Sequence, residues 1–144
     1  MTLVCFTVPG KPLPWQRARS SGSRRYTSPE QRAYQDAVRW AAIAAVPAKV
    51  RLACASNVAL RWRVAILVCV PDARIRDTDR VENQIGDALQ GVLWHNDAAI
   101  VEWHARRVID RERPRVDVVA RASLEAPGAW TGDEMLAMVT KGGT

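Results

Sequence analysis

The stretch 57–70, NVALRWRVAILVCV, decides the fold. Val58, Leu60, Trp62, Val64, Ile66, Val68 and Val70 alternate with their neighbours, which places them on one face of a strand. The other face carries Arg61 and Arg63 early and Leu67 and Cys69 late. One face is therefore covered and the other is mixed, and Pro71 ends the run. After a short basic loop comes DTDRVENQIGDALQG, residues 77–91, with a helical period. Val81, Ile85, Ala88 and Leu89 line one side at i, i+4, i+7 and i+8. Asp79, Asn83 and Asp87, spaced by four, share a different face. Gly91 closes the helix as a C-terminal glycine does.

Working outward, residues 2–8 read as a strand ending at Pro9-Gly10. Residues 9–27 hold Pro9, Gly10, Pro12, Pro14 and Gly22, and read as a loop. Ser28 is an N-cap, Pro29 suits the first helical position, and Gln31 completes a capping box. This helix runs to about Val46 with Tyr34, Ala37, Val38, Ala41 and Ala45 as its apolar stripe, and Pro47 stops it. Residues 99–109 and 115–122 read as two strands joined by a hairpin over 110–114. Thr131 and Glu134 mark a short helix through Val139, and the last residues fray. The order β-α-β-α-β-β predicts an α+β fold, a small mixed sheet with helices packed on one face.

At 144 residues the chain reads as one domain over 1–144, with its core over about 2–122 and a tail over 123–144. No apolar run reaches the ~20 residues of a membrane span, and nothing resembles an export signal. Cys5, Cys54 and Cys69 lack metal-site spacing and read as reduced, buried thiols of a cytoplasmic protein. The net charge is +6, and its placement is uneven. Lys11, Arg17, Arg19, Arg24 and Arg25 all precede the first acid, Glu30. That imbalance suits a polyanion, most simply nucleic acid, although a solvated basic loop explains it equally well.

Against this basic background four acids gather: Asp77, Asp79, Asp87 and Asp97. A capping role explains Asp77 or Asp79, solvation explains Asp87, and a turn explains Asp97. No one of these roles explains all four. Like charges so placed repel unless a cation joins them, and a hard divalent cation such as Mg²⁺ is the natural partner. Such an ion activates water and neutralises a leaving oxygen at a phosphodiester. Other chemistries score poorly. His95 and His104 have no zinc spacing, and no nucleophile elbow, phosphate loop or dinucleotide fingerprint occurs. Trp40, Trp62, Trp94 and Trp103 read as packing residues. Trp15, among Lys11, Arg17 and Arg19, reads as a plug for the sheet edge or as a platform for a base.

The chain resembles the RusA family of Holliday-junction resolvases. The likeness lies in Arg76-Asp77-Thr78-Asp79, in residues 87–94 (DALQGVLW), and in Asn96-Asp97-Ala98. Val8-Pro9-Gly10-Lys11-Pro12, Arg17, Arg19 and Tyr26-Thr27 are similar to the family's opening. The resemblance implies a homodimeric, phage- or prophage-borne endodeoxyribonuclease of the bacterial cytoplasm that uses Mg²⁺ or Mn²⁺. Such an enzyme makes paired nicks in four-way junctions during recombination, repair or phage DNA processing. It implies that Asp77, Asp79 and Asp97 bind metal, and that Asp87 belongs to the catalytic acids. Two positions depart from the family pattern. Arg80 stands where that pattern has asparagine, and Asn83 stands where it has a lysine thought to support catalysis. Arg80, Arg76 or Lys11 are the candidate replacements, and with Arg17, Arg19, Arg24 and Arg25 they form the expected DNA-binding set. The rival reading is a RusA-like protein that binds branched DNA and cuts it weakly or not at all.

Overall fold

The computed structural model describes residues 2–14, 19–22, 24–74, 78–124, 134, 135, 137 and 138, with the backbone alone for 19–21, 24–26, 78 and 79. β4 (Arg61–Val70) is the axis of a four-stranded sheet. On one side it pairs antiparallel with β6 (Arg115–Ser123), and on the other parallel with β5 (Ile100–Ile109). β1 (Thr2–Pro9) pairs antiparallel with β6, giving the order β1-β6-β4-β5. The mixed sheet and its helices are the α+β arrangement the sequence predicts.

The expected hairpin between the last two strands does not form. β5 and β6 flank β4 on opposite sides, and the segment 110–114 crosses the end of β4. There the Asp110 N–H donates to the Val70 carbonyl at 2.8 Å. The cause lies in β4 itself. Ala65 and Cys69 are buried as fully as Trp62, Val64, Ile66, Val68 and Val70, and Leu67 nearly so. A strand buried on both faces needs a hydrogen-bonded neighbour along each edge. β4 also starts later than its alternation suggests. Asn57 Oδ1 accepts from the Ala59 N–H at 3.0 Å, and the turn this makes leaves Val58 63% exposed.

The larger core lies on the face of β4 that bears Trp62, Val64, Ile66, Val68 and Val70. α1 (Pro29–Ala45) covers it with Val38 and Ala42, and α3 (Thr78–Ala88) with Val81, Ile85 and Ala88. Ser28 Oγ accepts from the Gln31 N–H at 3.2 Å, the expected N-cap. The buried stripe of α1 runs through Ala42, whereas Ala45 is exposed, and Trp40, expected to pack, is 68% exposed because it falls off that stripe. On the opposite face Ala65, Leu67, Cys69 and Val119 pack with Met135. Of the expected tail helix, Glu134, Met135, Ala137 and Met138 are described, and they are helical.

Three short elements lack a clear sequence signal. Pro47 ends α1 but also opens α2 (Ala48–Ser56), as the residue just before its first turn. Within the expected loop 9–27, β2 (Arg19–Ser21) and β3 (Arg24–Tyr26) form a small antiparallel ribbon. Gly22, at φ 63°, takes the left-handed conformation that its turn requires. Among the described residues, no helix is long and apolar enough to cross a membrane. Burial pushes the Cys54 and Cys69 thiols above their ordinary range, as befits inert core cysteines. Cys5, expected to be buried too, is exposed because it alternates with Val4 and Phe6 on an edge strand.

Where the chain crosses from β5 to β6, Arg115 donates to Asp110 at 2.8 Å and to Asp117 at 3.1 Å. The Arg115 hydrogen bond, followed by the Arg113 N–H, holds the Asp110 carboxyl below its ordinary value of 3.8. A depressed carboxyl pKa favours the folded state above the unfolded pKa, and that advantage fades as pH falls through the folded value. Acid should therefore destabilise the protein progressively below about pH 4. Asp110→Asn should flatten that part of the stability–pH curve while leaving its slope near pH 7 unchanged. Urea melts of both proteins across the acid range check this.

Candidate active site

Parallel neighbours such as β4 and β5 need a crossover, and α3 supplies it. The acids singled out from the sequence lie on this crossover. Asp79 is in the first turn of α3, Asp87 in its last turn, and Asp97 beyond it. Asp77 lies outside the described residues, and so does the side chain of Asp79.

The end of α3 is built to fix the position of Asp97. A helix leaves its last four carbonyls without partners inside the helix. Here each has one. The Ile85 carbonyl accepts from the Leu89 N–H at 3.2 Å, and that of Asp87 from the Gln90 N–H at 3.4 Å. The Ala88 carbonyl accepts from Arg39 Nε at 3.0 Å, and that of Gly86 from Trp94 Nε1, also at 3.0 Å. Trp94 is fully buried and meets Trp62 edge to face, with ring centroids 5.5 Å apart. The chain reverses through Gly91, at φ 78°, whose N–H donates to the Trp94 carbonyl at 2.8 Å. Asn96 then caps a single 3₁₀ turn, Asp97–Ala99, its Oδ1 accepting from the Ala98 N–H at 2.9 Å.

This turn sets Asp97 against the flank of α3 at Gly86. A methyl group added to Gly86 would lie 3.8 Å from Asp97 Cβ and 3.5 Å from the Trp103 ring. These are ordinary van der Waals distances, so Gly86 marks where the Asp97 turn packs on the helix rather than a space only glycine could leave. At about 100° per residue, Asp79 and Gly86 fall on one flank of α3, about 10 Å apart along its axis. Glu82 and Asn83 lie between them on that flank; Glu82 is half-buried and Asn83 exposed. Asp87 is next to Gly86 in sequence, so it projects about 100° away from the contact with Asp97. Glu82 carries no weight in the sequence reading, because the Asp79–Asn83–Asp87 spacing draws attention to a neighbouring face.

The Asp97 carboxylate is exposed and has no ion-pair partner among the described residues. It is a hard oxygen donor, open to a cation. The chemistry of the set Asp79, Glu82 and Asp97 suits Mg²⁺ or Mn²⁺ and offers nothing to a soft metal. Among the described residues no group of three metal-binding side chains is complete; Asp77 and the Asp79 side chain lie outside that set.

The expected DNA contacts divide by place. Lys11 is exposed on the wall of a cleft of about 510 Å³ between residues 11–14, α1 and Arg74. Arg80 is exposed in the first turn of α3, about 100° round from Asp79. The backbones of Arg19, Arg24 and Arg25 are on the β2–β3 ribbon, but their side chains lie outside the description. Arg17 and Arg76 lie outside it altogether, as does Trp15.

No curated protein matches the chain. A family model does: that of the endodeoxyribonuclease RusA, over residues 9–121 of the 144. The match takes in the basic opening, the α3 crossover and the Asp97 turn. The family consists of endodeoxyribonucleases that resolve Holliday junctions. With the mixed sheet, the acid-bearing crossover and the matched span in agreement, the chain belongs to the RusA endodeoxyribonuclease family.

Proposed function

We propose that the chain is a divalent-metal-dependent nuclease that resolves four-way DNA junctions by paired nicks. The observation that carries this reading is the seating of Asp97 on the flank of α3 that also bears Asp79. Asp77, Asp79 and Asp97 would hold Mg²⁺ or Mn²⁺, with Glu82 a further carboxylate one turn from Asp79. When bound, the ion polarises the phosphodiester and makes water a better nucleophile. The chain's own work is to hold the acids still and the phosphates near. Trp94 and Asn96 fix the Asp97 turn, while Lys11, Arg80 and the basic ribbon attract the backbone. Two opposed cuts need two sites at fixed spacing, so the working form is a homodimer. Resolution of recombination or replication branches, in a bacterial cytoplasm and in service of a phage or prophage, is the task that fits.

Nicking of a synthetic four-way junction, with Mg²⁺ and with EDTA, tests this reading. Cutting in Mg²⁺ alone supports it. Tight binding of the junction without cutting would favour a branched-DNA binding protein.

Asn83 motivates a second expectation. Its exposed side chain sits between Asp79 and the Asp97 contact, where a cation would face the charge that develops on phosphate. Asparagine offers only a dipole. Asn83→Lys should accelerate single-turnover nicking about tenfold, or roughly 1.4 kcal/mol of barrier. If Arg80 has taken over the cationic role, Asn83→Lys will change little and Arg80→Ala will be severe.

A further inference from the structure

The cleft beside α1 is more than a gap behind a loop. Its volume, about 510 Å³, falls within the roughly 300–1,000 Å³ typical of small-ligand sites. Pro12, Leu13, Pro14 and Tyr34 line it with apolar and aromatic groups, and Ala33 and Ala37 add only small side chains. Burial raises the Tyr34 hydroxyl far above the ordinary phenol range, partly offset by the Leu13 backbone, so the ring remains neutral. Lys11 and Arg74 add positive charge to the walls. Among the described residues Glu30 is the one acid lining the cleft, and a carboxylate can only accept hydrogen bonds.

An apolar slot with cations and a separate acceptor matches one chemical unit well: a nucleotide whose base is unstacked. The base stacks against the proline and tyrosine walls, an N–H on its edge donates to Glu30, and its phosphate meets Lys11 and Arg74. The place is apt, since Arg74 lies three residues before Asp77 in the loop that leads into α3. We infer that this cleft holds one unpaired nucleotide of the DNA strand, extruded at the branch point, and thereby sets which phosphate reaches the acids. The inference rests on the reading of the chain as a nuclease of branched DNA.

Two measurements made side by side test it. In the first, amide shifts of the wild-type protein are followed on titration with short oligothymidylate in EDTA. The expected shifts centre on Leu13, Ala33 and Ala37. Ala33 is exposed, so Ala33→Trp fills the cleft without disturbing the core. That variant should melt like wild type and bind the oligonucleotide roughly tenfold more weakly, the loss of about one stacked base. Lys11→Ala should lower the salt slope of binding by about 0.7. Shifts confined to other residues, or undiminished binding by Ala33→Trp, would overturn the inference. In the second, wild-type nicking of a four-way junction is assayed. Nicking with an untouched cleft leaves the nuclease and removes the nucleotide site. A filled cleft without nicking removes the nuclease reading and leaves a single-strand binding site.

Discussion

Asp97→Asn should reduce metal-dependent nicking at least a hundredfold, corresponding to roughly 2.7 kcal/mol of transition-state stabilisation. The substitution removes one charge and almost no volume. Asn96 still caps the 3₁₀ turn, and the exposed side chain keeps its volume, so the fold should melt within about 0.5 kcal/mol of wild type. Junction binding should hold or tighten, because a negative charge facing phosphate has gone. Asp77→Asn and Asp79→Asn share the expectation. Single-turnover nicking with binding measured in parallel decides it. A variant that cuts at the wild-type rate shows that its acid is not a metal ligand, and one that loses binding as well shows a structural role.

Trp94→Ala should be the most destabilising single change in the crossover. Truncating a fully buried tryptophan leaves a cavity and costs about 3–5 kcal/mol. It also strips the Gly86 carbonyl of its indole partner. Nicking should fall with stability, because the same side chain anchors the turn that bears Asp97. Trp94→Phe keeps most of the volume and loses the hydrogen bond, so it should cost less. A denaturant melt of both variants checks the order. A loss below about 1 kcal/mol for Trp94→Ala would mean that Trp94 does not pin the turn.

Much of this architecture was legible in the chain. The alternation of residues 57–70 marked β4, and the heptad-like spacing of Val81, Ile85, Ala88 and Leu89 marked α3, because both periods record which side is buried. What could not be read was the partner across a sheet edge. Periodicity tells a strand's faces and not its neighbours, so β5 and β6 looked like a hairpin. The buried Ala65 and Cys69 were the available sign that β4 lies between them. α2 stayed hidden because Pro47 reads as a stop, and β2–β3 because prolines and glycines flank so short a ribbon. At the site, the acids stood out by charge alone. Gly86 and Glu82 did not, since their importance comes from where the Asp97 turn docks on α3. No local spacing encodes that contact.

The pairing of β1 with β6 has a bearing on how the protein is made. Thr7 Oγ1 donates to Asp117 Oδ1 at 2.7 Å across 110 residues of sequence. During synthesis, at about 5–20 residues per second, the first strand must wait for the last one. Until Arg115–Ser123 has emerged, β1 has no edge to join and β4 has only one neighbour. The crossover that carries the acids is already synthesised by then, but its supporting sheet is not. A ribosome-bound chain lacking β6 therefore has the acids of a nuclease without the scaffold that aligns them, and high contact order makes this topology slow to close.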